Sequence, residues 1–401
     1  MSNMEQEASR VLILLYEEKS LWDSCNDITD GYKKLYESCF EHIEYFTCDS
    51  TPDSPAKLNE KIRKNSYNKI IFLDHRIRVP KELYYFVKDK ETKKNQFIFH
   101  VYGCFINRTE EWRFIRDNLD FCDYNFVAGS LAHKRLVDEV LGTDVLYIPF
   151  VVLDSKLESE KQIPNLNIDS KDKVLLYAGR VSPGKNVIAL CEIMNTYNES
   201  RDKKLHLVVA GSIDDMGGII GGNDFFPRGT MAYNFAKAIT GSKYIHYVPY
   251  IENKKLLMSY YKRVDGIISL STMLYEDFGM SIADGLALGK KIICTNWGGY
   301  KEFTKYSDQV ISIKVNFSNK NFNVSKEETK EALDKFWEDN HFEIKNPFSV
   351  ENLRSTVLYE FKKNKNDKIV GKKYLKALKL FRFRDLIKFP MISKLYGSYY
   401  D

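Results

Sequence analysis

The feature that most constrains this chain is a rhythm that runs through it twice. Short, almost uninterrupted apolar runs alternate with longer amphipathic stretches. The first six runs are VLILL (11–15), IEYFTC (43–48), KIIFLD (69–74), QFIFHVYG (96–103), YNFVAG (124–129) and VLYIP (145–149). Then DSKLESEKQIPNLNIDSKDK (154–173) offers nothing periodic to bury and reads as a linker. Six more runs follow: VLLYAG (174–179), LHLVVAG (205–211), IHYVPY (245–250), GIISLS (266–271), KIICT (291–295) and VISIK (310–314). A strand covered on both faces needs apolar side chains on both. Runs without polar alternation, separated by helical patterns, therefore predict parallel sheets sandwiched by helices. The expectation is an α/β chain of two doubly wound parallel-sheet domains, residues 1–155 and 156–375. In such sheets ligands bind beyond the carboxyl ends of the strands, so two domains facing each other would form a central cleft.

Three segments refine this outline. DGYKKLYESCFEHI predicts a helix capped by Asp30. Residues 212–243 interrupt the second domain with six glycines, and predict a loop over the cleft followed by a helix at MAYNFAKAI. Residues 319–360 look helical and polar.

Charge and cysteine usage narrow the class further. The net charge is +5, yet residues 362–401 alone carry twelve Lys/Arg against three acids, so the basic character belongs to the tail. Its last segment sets Tyr374, Ala377, Leu378 and Phe381 on one helical stripe among lysines. Such a segment could lie on an anionic membrane surface. The seven cysteines are odd in number and scattered without CxxC spacing, which predicts reduced buried thiols and a cytoplasmic protein. The start, MSNMEQEASR, does not read as a signal peptide, and no run approaches the ~20 apolar residues that span a bilayer.

The candidate chemistry gathers at strand ends in the second half. YEDFGMSIADGLAL (275–288) holds Glu276 in a Gly-containing loop, a helix start near Phe278, and Asp284 eight residues after Glu276. On one helix that spacing is about 12 Å, too far to share a proton but suited to two ends of a long ligand. The helix start between them offers N–H groups to an anion. Two solvated acids on an amphipathic helix would show the same spacing. AGRVSPGKN places Arg180 and Lys185 across a turn at a strand end, where cations suit a diphosphate, although a solvated basic turn would look alike. Gly211 could admit a ligand to the backbone or simply turn the chain. His100, in FIFHVYG, and His75, in LDHRIR, are the histidines at strand ends. Asp214-Asp215 hints only weakly at a metal. Dinucleotide, P-loop, G-x-S-x-G and HExxH patterns are missing.

In this order the motifs resemble the retaining GT-B glycosyltransferases of family 4, the glycogen-synthase-like group 1 transferases. The resemblance rests on AGRVSPGKN (178–186), VVAGS (208–212), IHYVPYI (245–251), DGIISLSTMLYEDFGMSIADGLALGKKII from 265, and GGYKE (298–302). It covers most of residues 170–315. It implies a GT-B fold, with the segment 376–401 packing back on the first domain. It also implies transfer of a sugar, with retention and without a metal or other cofactor, from a nucleotide-diphosphate sugar. The basic tail, if it lies on a membrane, suggests a glycan or lipid-linked acceptor at the inner face; its lysines would otherwise be merely solvated. Arg180 and Lys185 would hold the diphosphate, Glu276 the sugar, the backbone of Phe278, Gly279 and Met280 the phosphates and sugar, and Asp284 the ribose. Ile251 stands where the backbone meets the nucleobase, and His100 where a histidine sits beside the reacting carbon. Three departures are visible: Asp284 replaces a glutamate, Pro249 replaces a glycine, and the N-terminal Gly-Gly loop has only Gly31 as its nearest analogue. Those departures keep two alternatives open, another GT-B activity such as an epimerase or phosphorylase, and a non-catalytic glycan- or lipid-binding protein.

Overall fold

The computed structural model describes residues 7–362 apart from 17–19, 21–22, 50, 52, 75–94, 104, 106–107, 120–121, 161–165, 167, 215–217, 220–224, 227–228, 274–275, 319–320 and 339–344. The basic tail with its expected helical stripe, the segment 376–401, His75, and most of the glycine-rich loop thus lie outside the described residues. The chain divides into two compact units, one ending at Val151 and resuming at Phe348, the other spanning Val152–Pro347.

All twelve apolar runs form strands. In the first unit these are β1 (Glu7–Tyr16), β2 (Phe40–Cys48), β3 (Lys69–Phe72), β4 (Gln96–His100), β5 (Asp123–Ala128) and β6 (Leu146–Tyr147). They pair in parallel in the order β2-β1-β3-β4-β5-β6. Helices α1 (Asp23–Cys39), α2 (Ser54–Lys64), α3 (Thr109–Asp117) and α4 (Leu131–Leu141) connect them. Val11, Leu12, Ile70, Ile71, Phe97 and Ile98 are fully enclosed, which is why the strands carry no polar alternation.

Helix α1 begins seven residues before the expected Asp30 cap. Cys25 and Ile28 continue the buried face of Tyr32, Leu35, Tyr36 and Cys39 at helical spacing, a pattern hidden by the polar residues between them.

The second unit contains β7 (Lys173–Ala178), β8 (Leu205–Ala210), β9 (Ile245–Val248), β10 (Gly266–Ser269), β11 (Lys291–Thr295) and β12 (Val310–Ile313). Their order, β9-β8-β7-β10-β11-β12, is again all parallel. The helices are α5 (Val187–Asn198), α6 (Thr230–Ile239), α7 (Lys254–Arg263), α8 (Met280–Ala287) and α9 (Lys326–Phe336). Two antiparallel hairpins, Gly218–Ile219 with Phe225–Phe226 and Val315–Ser318 with Asn321–Val324, have no counterpart among the expected elements.

The boundary between the units also differs from expectation. The last described helix, α10 (Val350–Glu360), belongs to the first unit, not to a second domain running to residue 375. Phe361 explains the difference, stacking on Tyr36 at 5.7 Å and on Phe40 at 6.1 Å. The Tyr147 N–H also donates to Glu360 Oε2 at 3.2 Å. Six cysteines among the described residues are buried free thiols, and no described helix is long and apolar enough to cross a membrane.

Candidate functional site

In the second sheet the strand order reverses between β7 and β10, and the crevice at such a reversal is where open α/β sheets take ligands. The loops leaving those two strands are stitched together. After β7 the chain passes Arg180 and forms a 3-10 turn, Pro183–Lys185, that ends on Asn186 in the left-handed region at φ 56°. Asn186 Nδ2 donates to Leu270 O at 2.7 Å and to Thr272 Oγ1 at 3.1 Å, and the Thr272 N–H donates to Gly184 O at 2.9 Å. This stitching brings Lys185 and Glu276 into a direct ion pair, with side chains 18% and 9% exposed.

Glu276 is held from below. Its carbonyl accepts from the Gly299 N–H at 2.8 Å, and the Trp297 indole donates to Met273 O at 2.8 Å. A Cβ on Gly299 would lie 2.3 Å from Phe278 Cα, so only glycine lets the two loops meet. Gly279 precedes α8 at φ 106°, and a Cβ there would fall 2.1 Å from Tyr300 Cε1. Burial, then the charge of Glu276, pushes the Cys294 thiol up to about 12 and the Tyr300 hydroxyl well above its ordinary range. Tyr177 is raised by the same two causes. Glu276 therefore faces neighbours that stay protonated and neutral.

Phe278 is buried beside the start of α8, where the Ile282 and Ala283 N–H groups both bond Gly279 O and the first two, Met280 and Ser281, precede any carbonyl of the helix. Asp284 lies inside α8, 4% exposed, and both its oxygens accept from Lys156 Nζ, at 2.9 and 2.8 Å. Arg180, on the open side, pairs with Asp214 at 2.6 Å. That contact gives Asp214 an ion-pair role where the sequence hinted at a metal. Among the described residues no cluster of three or more His, Cys, Asp or Glu could hold a metal ion.

Gly211 resolves toward structure: a Cβ would lie 2.0 Å from the Gly179 carbonyl oxygen, so the backbone that approaches it is that of the neighbouring strand end. Ile251, half-buried, follows the end of β9 by three residues. Ser182 is 1% exposed, and its Oγ has no hydrogen-bond partner among the described residues.

The two candidates from the first unit meet different surroundings. Gly31 is inside α1, not in a loop, and a Cβ would lie 2.9 Å from Val151 Cβ. It allows α1 to pack closely, which corrects its reading as a stand-in for a Gly-Gly loop. His100 ends β4 but is 1% exposed, with Nε2 at 2.5 Å from Tyr36 Oη and its ring centroid 4.2 Å from that of Tyr32. Burial lowers its pKa to about 3, leaving a neutral imidazole enclosed by tyrosines. That environment is one of a packed core histidine.

Sequence reasoning singled out Arg180, Lys185, Glu276 and Asp284 but not the contacts they make, and it passed over Lys156. Lys156 stands in an aperiodic polar stretch that carries no signal. Asn186 and Trp297 act through loop geometry that only the folded chain reveals.

Comparison with known proteins agrees with this layout. The sequence model of the family described as glycosyl transferases group 1 matches residues 158–343. No curated protein matches the sequence. Among solved structures, Anabaena Alr3699/HepE in complex with UDP is similar with a TM-score of 0.56 at 12% identity, over 92% of this chain and 100% of that one. A glycosyltransferase from Rickettsia africae reaches 0.55 at 15% identity, over 94% and 100%. An E. coli trehalose-6-phosphate structure bound with UDP-2-fluoro glucose reaches 0.53 at 10% identity, over 92% and 99%. At these identities the likeness is one of fold. Residues 158–343 thus resemble the glycosyl transferases group 1 family, and the chain's two six-stranded parallel sheets have the GT-B fold.

Proposed function

We propose that this protein is a glycosyltransferase that takes a nucleotide-diphosphate sugar at the carboxyl ends of β7 and β10 and moves the sugar, with retention, to a glycan or lipid-linked acceptor. The observation that carries this reading is the Lys185–Glu276 pair, a cation and a buried carboxylate fixed side by side at the sheet's reversal point. Glycosyl transfer from a diphosphate develops positive charge on the sugar and negative charge on the leaving group. In this reading Arg180, Lys185 and the start of α8 meet the growing negative charge, and the reaction needs no metal. Glu276 orients the sugar, and Asp284 accepts from the ribose hydroxyls. The enclosed His100 is given no reacting role. The UDP and UDP-sugar held by proteins of the same fold support a nucleoside diphosphate as the part recognised here.

The test is a thermal-shift panel of UDP, GDP, ADP and their sugars, followed by transfer assays with whichever stabilises the protein. A stabilising nucleotide sugar and a product of retained anomeric configuration by NMR are expected, with turnover unaffected by EDTA. Glu276→Gln should lower kcat far more than donor affinity. Stabilisation by none of the nucleotides would refute the proposal. The acceptor class is read from liposome flotation and transfer to lipid-linked glycans, with and without residues 372–401.

A further inference from the structure

Lys156, the ion-pair partner of Asp284, has no place in the roles assigned above. Asp284 is 6% exposed at its side chain, and Lys156, 128 residues upstream, is only 15% exposed. Lys156 belongs to the short 3-10 turn Asp154–Leu157. That turn is itself anchored: Asn346 Nδ2 donates to Val152 O and to Asp154 Oδ1, both at 2.9 Å. The Glu160 N–H donates to Ser259 Oγ on α7 at 3.1 Å, just beyond the turn. The backbone that carries Lys156 is therefore anchored independently of Asp284.

Holding matters because of what two adjacent hydroxyls require. An ionised carboxylate offers about four acceptor positions, more than the two that Lys156 takes. A vicinal diol needs those acceptors side by side in one fixed plane. The aspartate torsion that sets this plane is broad when nothing constrains it. A buried carboxylate with no counter-charge also tends to take up a proton, which turns an acceptor into a donor. Lys156 opposes both losses. It also suits a shorter acid, because an aspartate keeps its carboxylate nearer the helix, where the ammonium reaches both oxygens.

We propose that Lys156 is a positioning residue of the donor site, fixing the orientation of the two oxygens of Asp284 as acceptors for the ribose hydroxyls. The inference rests on the reading of Asp284 as the ribose contact. The experiment measures, by calorimetry on the full chain, the affinity for UDP against 2′,3′-dideoxy-UDP, with the guanosine and adenosine pairs alongside. Wild type should prefer the ribonucleotide by about tenfold or more, the effect of a hydrogen bond or two to a charged group. Lys156→Met should shrink that ratio below about threefold, while Lys156→Arg, whose fork also bonds both oxygens, keeps most of it. Lys156→Met combined with Asp284→Asn should lower the ratio no further than Asp284→Asn alone. A wild type without preference sinks the ribose reading of Asp284, and this inference with it. A wild-type preference that Lys156→Met leaves intact overturns the inference and spares the ribose reading. An equal loss of affinity for both nucleotides also overturns it, since it marks a merely structural lysine. Should Lys156→Met not fold, Lys156→Gln, which lacks the charge, is read by the same ratio.

Discussion

Removing one partner of the Lys185–Glu276 pair should cost very different amounts depending on which partner goes. Glu276 is 9% exposed at its side chain and Lys185 18%. Lys185→Met leaves a buried carboxylate whose surroundings are Tyr177, Cys294 and Tyr300, all raised in pKa in part by its charge. Stranding a charge in this way costs about 3–5 kcal/mol. In a unit of about 200 residues, each kcal/mol shifts Tm by roughly 2–4 °C, so a fall of about 10 °C is expected. Glu276→Gln keeps the side chain's shape and leaves an ammonium on a flexible stem that can turn to water, so its cost should be nearer 1–2 kcal/mol. In the double variant neither charge remains, and it should be more stable than Lys185→Met alone, with a coupling of about 2 kcal/mol. Urea unfolding by circular dichroism, with thermal melts alongside, measures all four corners of the cycle. Equal single losses, or additive ones, would refute the claim that this is a buried and mutually dependent pair.

Three further outcomes follow from the same geometry. Gly279→Ala should destabilise the second unit by about 3 kcal/mol or more and abolish nucleotide binding. The added methyl meets Tyr300, which is enclosed and tied to Ser269 Oγ at 3.0 Å, and unfolding in urea checks the cost. His100 and His133 are both lowered by burial to about 3, below the ordinary value of 6.5. Their contribution is complete above pH 6.5 and is lost progressively as pH falls toward 3. Tm should thus hold between pH 7 and 8 and fall on the acid side, and a non-titrating residue at either position should make that limb shallower in a pH series of melts. Asp214→Asn should raise affinity for nucleoside diphosphates a few-fold by freeing Arg180, and calorimetry showing weaker binding would mean that Asp214 aims the guanidinium instead.

How much of this was legible beforehand depends on range. The twelve strands were readable because each is buried on both faces, so its apolar run is a local property of the sequence. The reversal point followed from pairing between strands far apart, which no local pattern states. Glu276, Lys185 and Arg180 were visible as charged groups at strand ends. Their mutual contact depends on Asn186 and Thr272 joining two loops whose sequences say nothing of each other. Gly31 misled because, beside the expected Asp30 cap, it stood where a loop meets a helix, whereas it lies inside α1 and relieves crowding with Val151. The first unit's claim on α10 was hidden for a similar reason: Phe361 is one apolar residue in a basic neighbourhood until Tyr36 and Phe40 are placed around it.

The ion pairs of Arg180, Lys185 and Lys156 also differ in what a diphosphate would have to displace. Arg180 and Asp214 are 44% and 22% exposed, and a pair that open to water is worth about 0–1 kcal/mol. Exchanging Asp214 for a phosphate therefore costs little, and the guanidinium gains a partner it can bond with two parallel N–H groups. Lys185 is different, because leaving Glu276 would strand a buried charge. An ammonium has three donors, so it can keep Glu276 and still offer a hydrogen bond to a phosphate oxygen. Lys156 is more enclosed still, and Asp284 engages it with both oxygens. The order that results is exchange at Arg180, sharing at Lys185 and retention at Lys156. In the proposed role, the cation nearest to water would steer the donor in, while the two buried pairs hold the carboxylates in place for its sugar and its ribose.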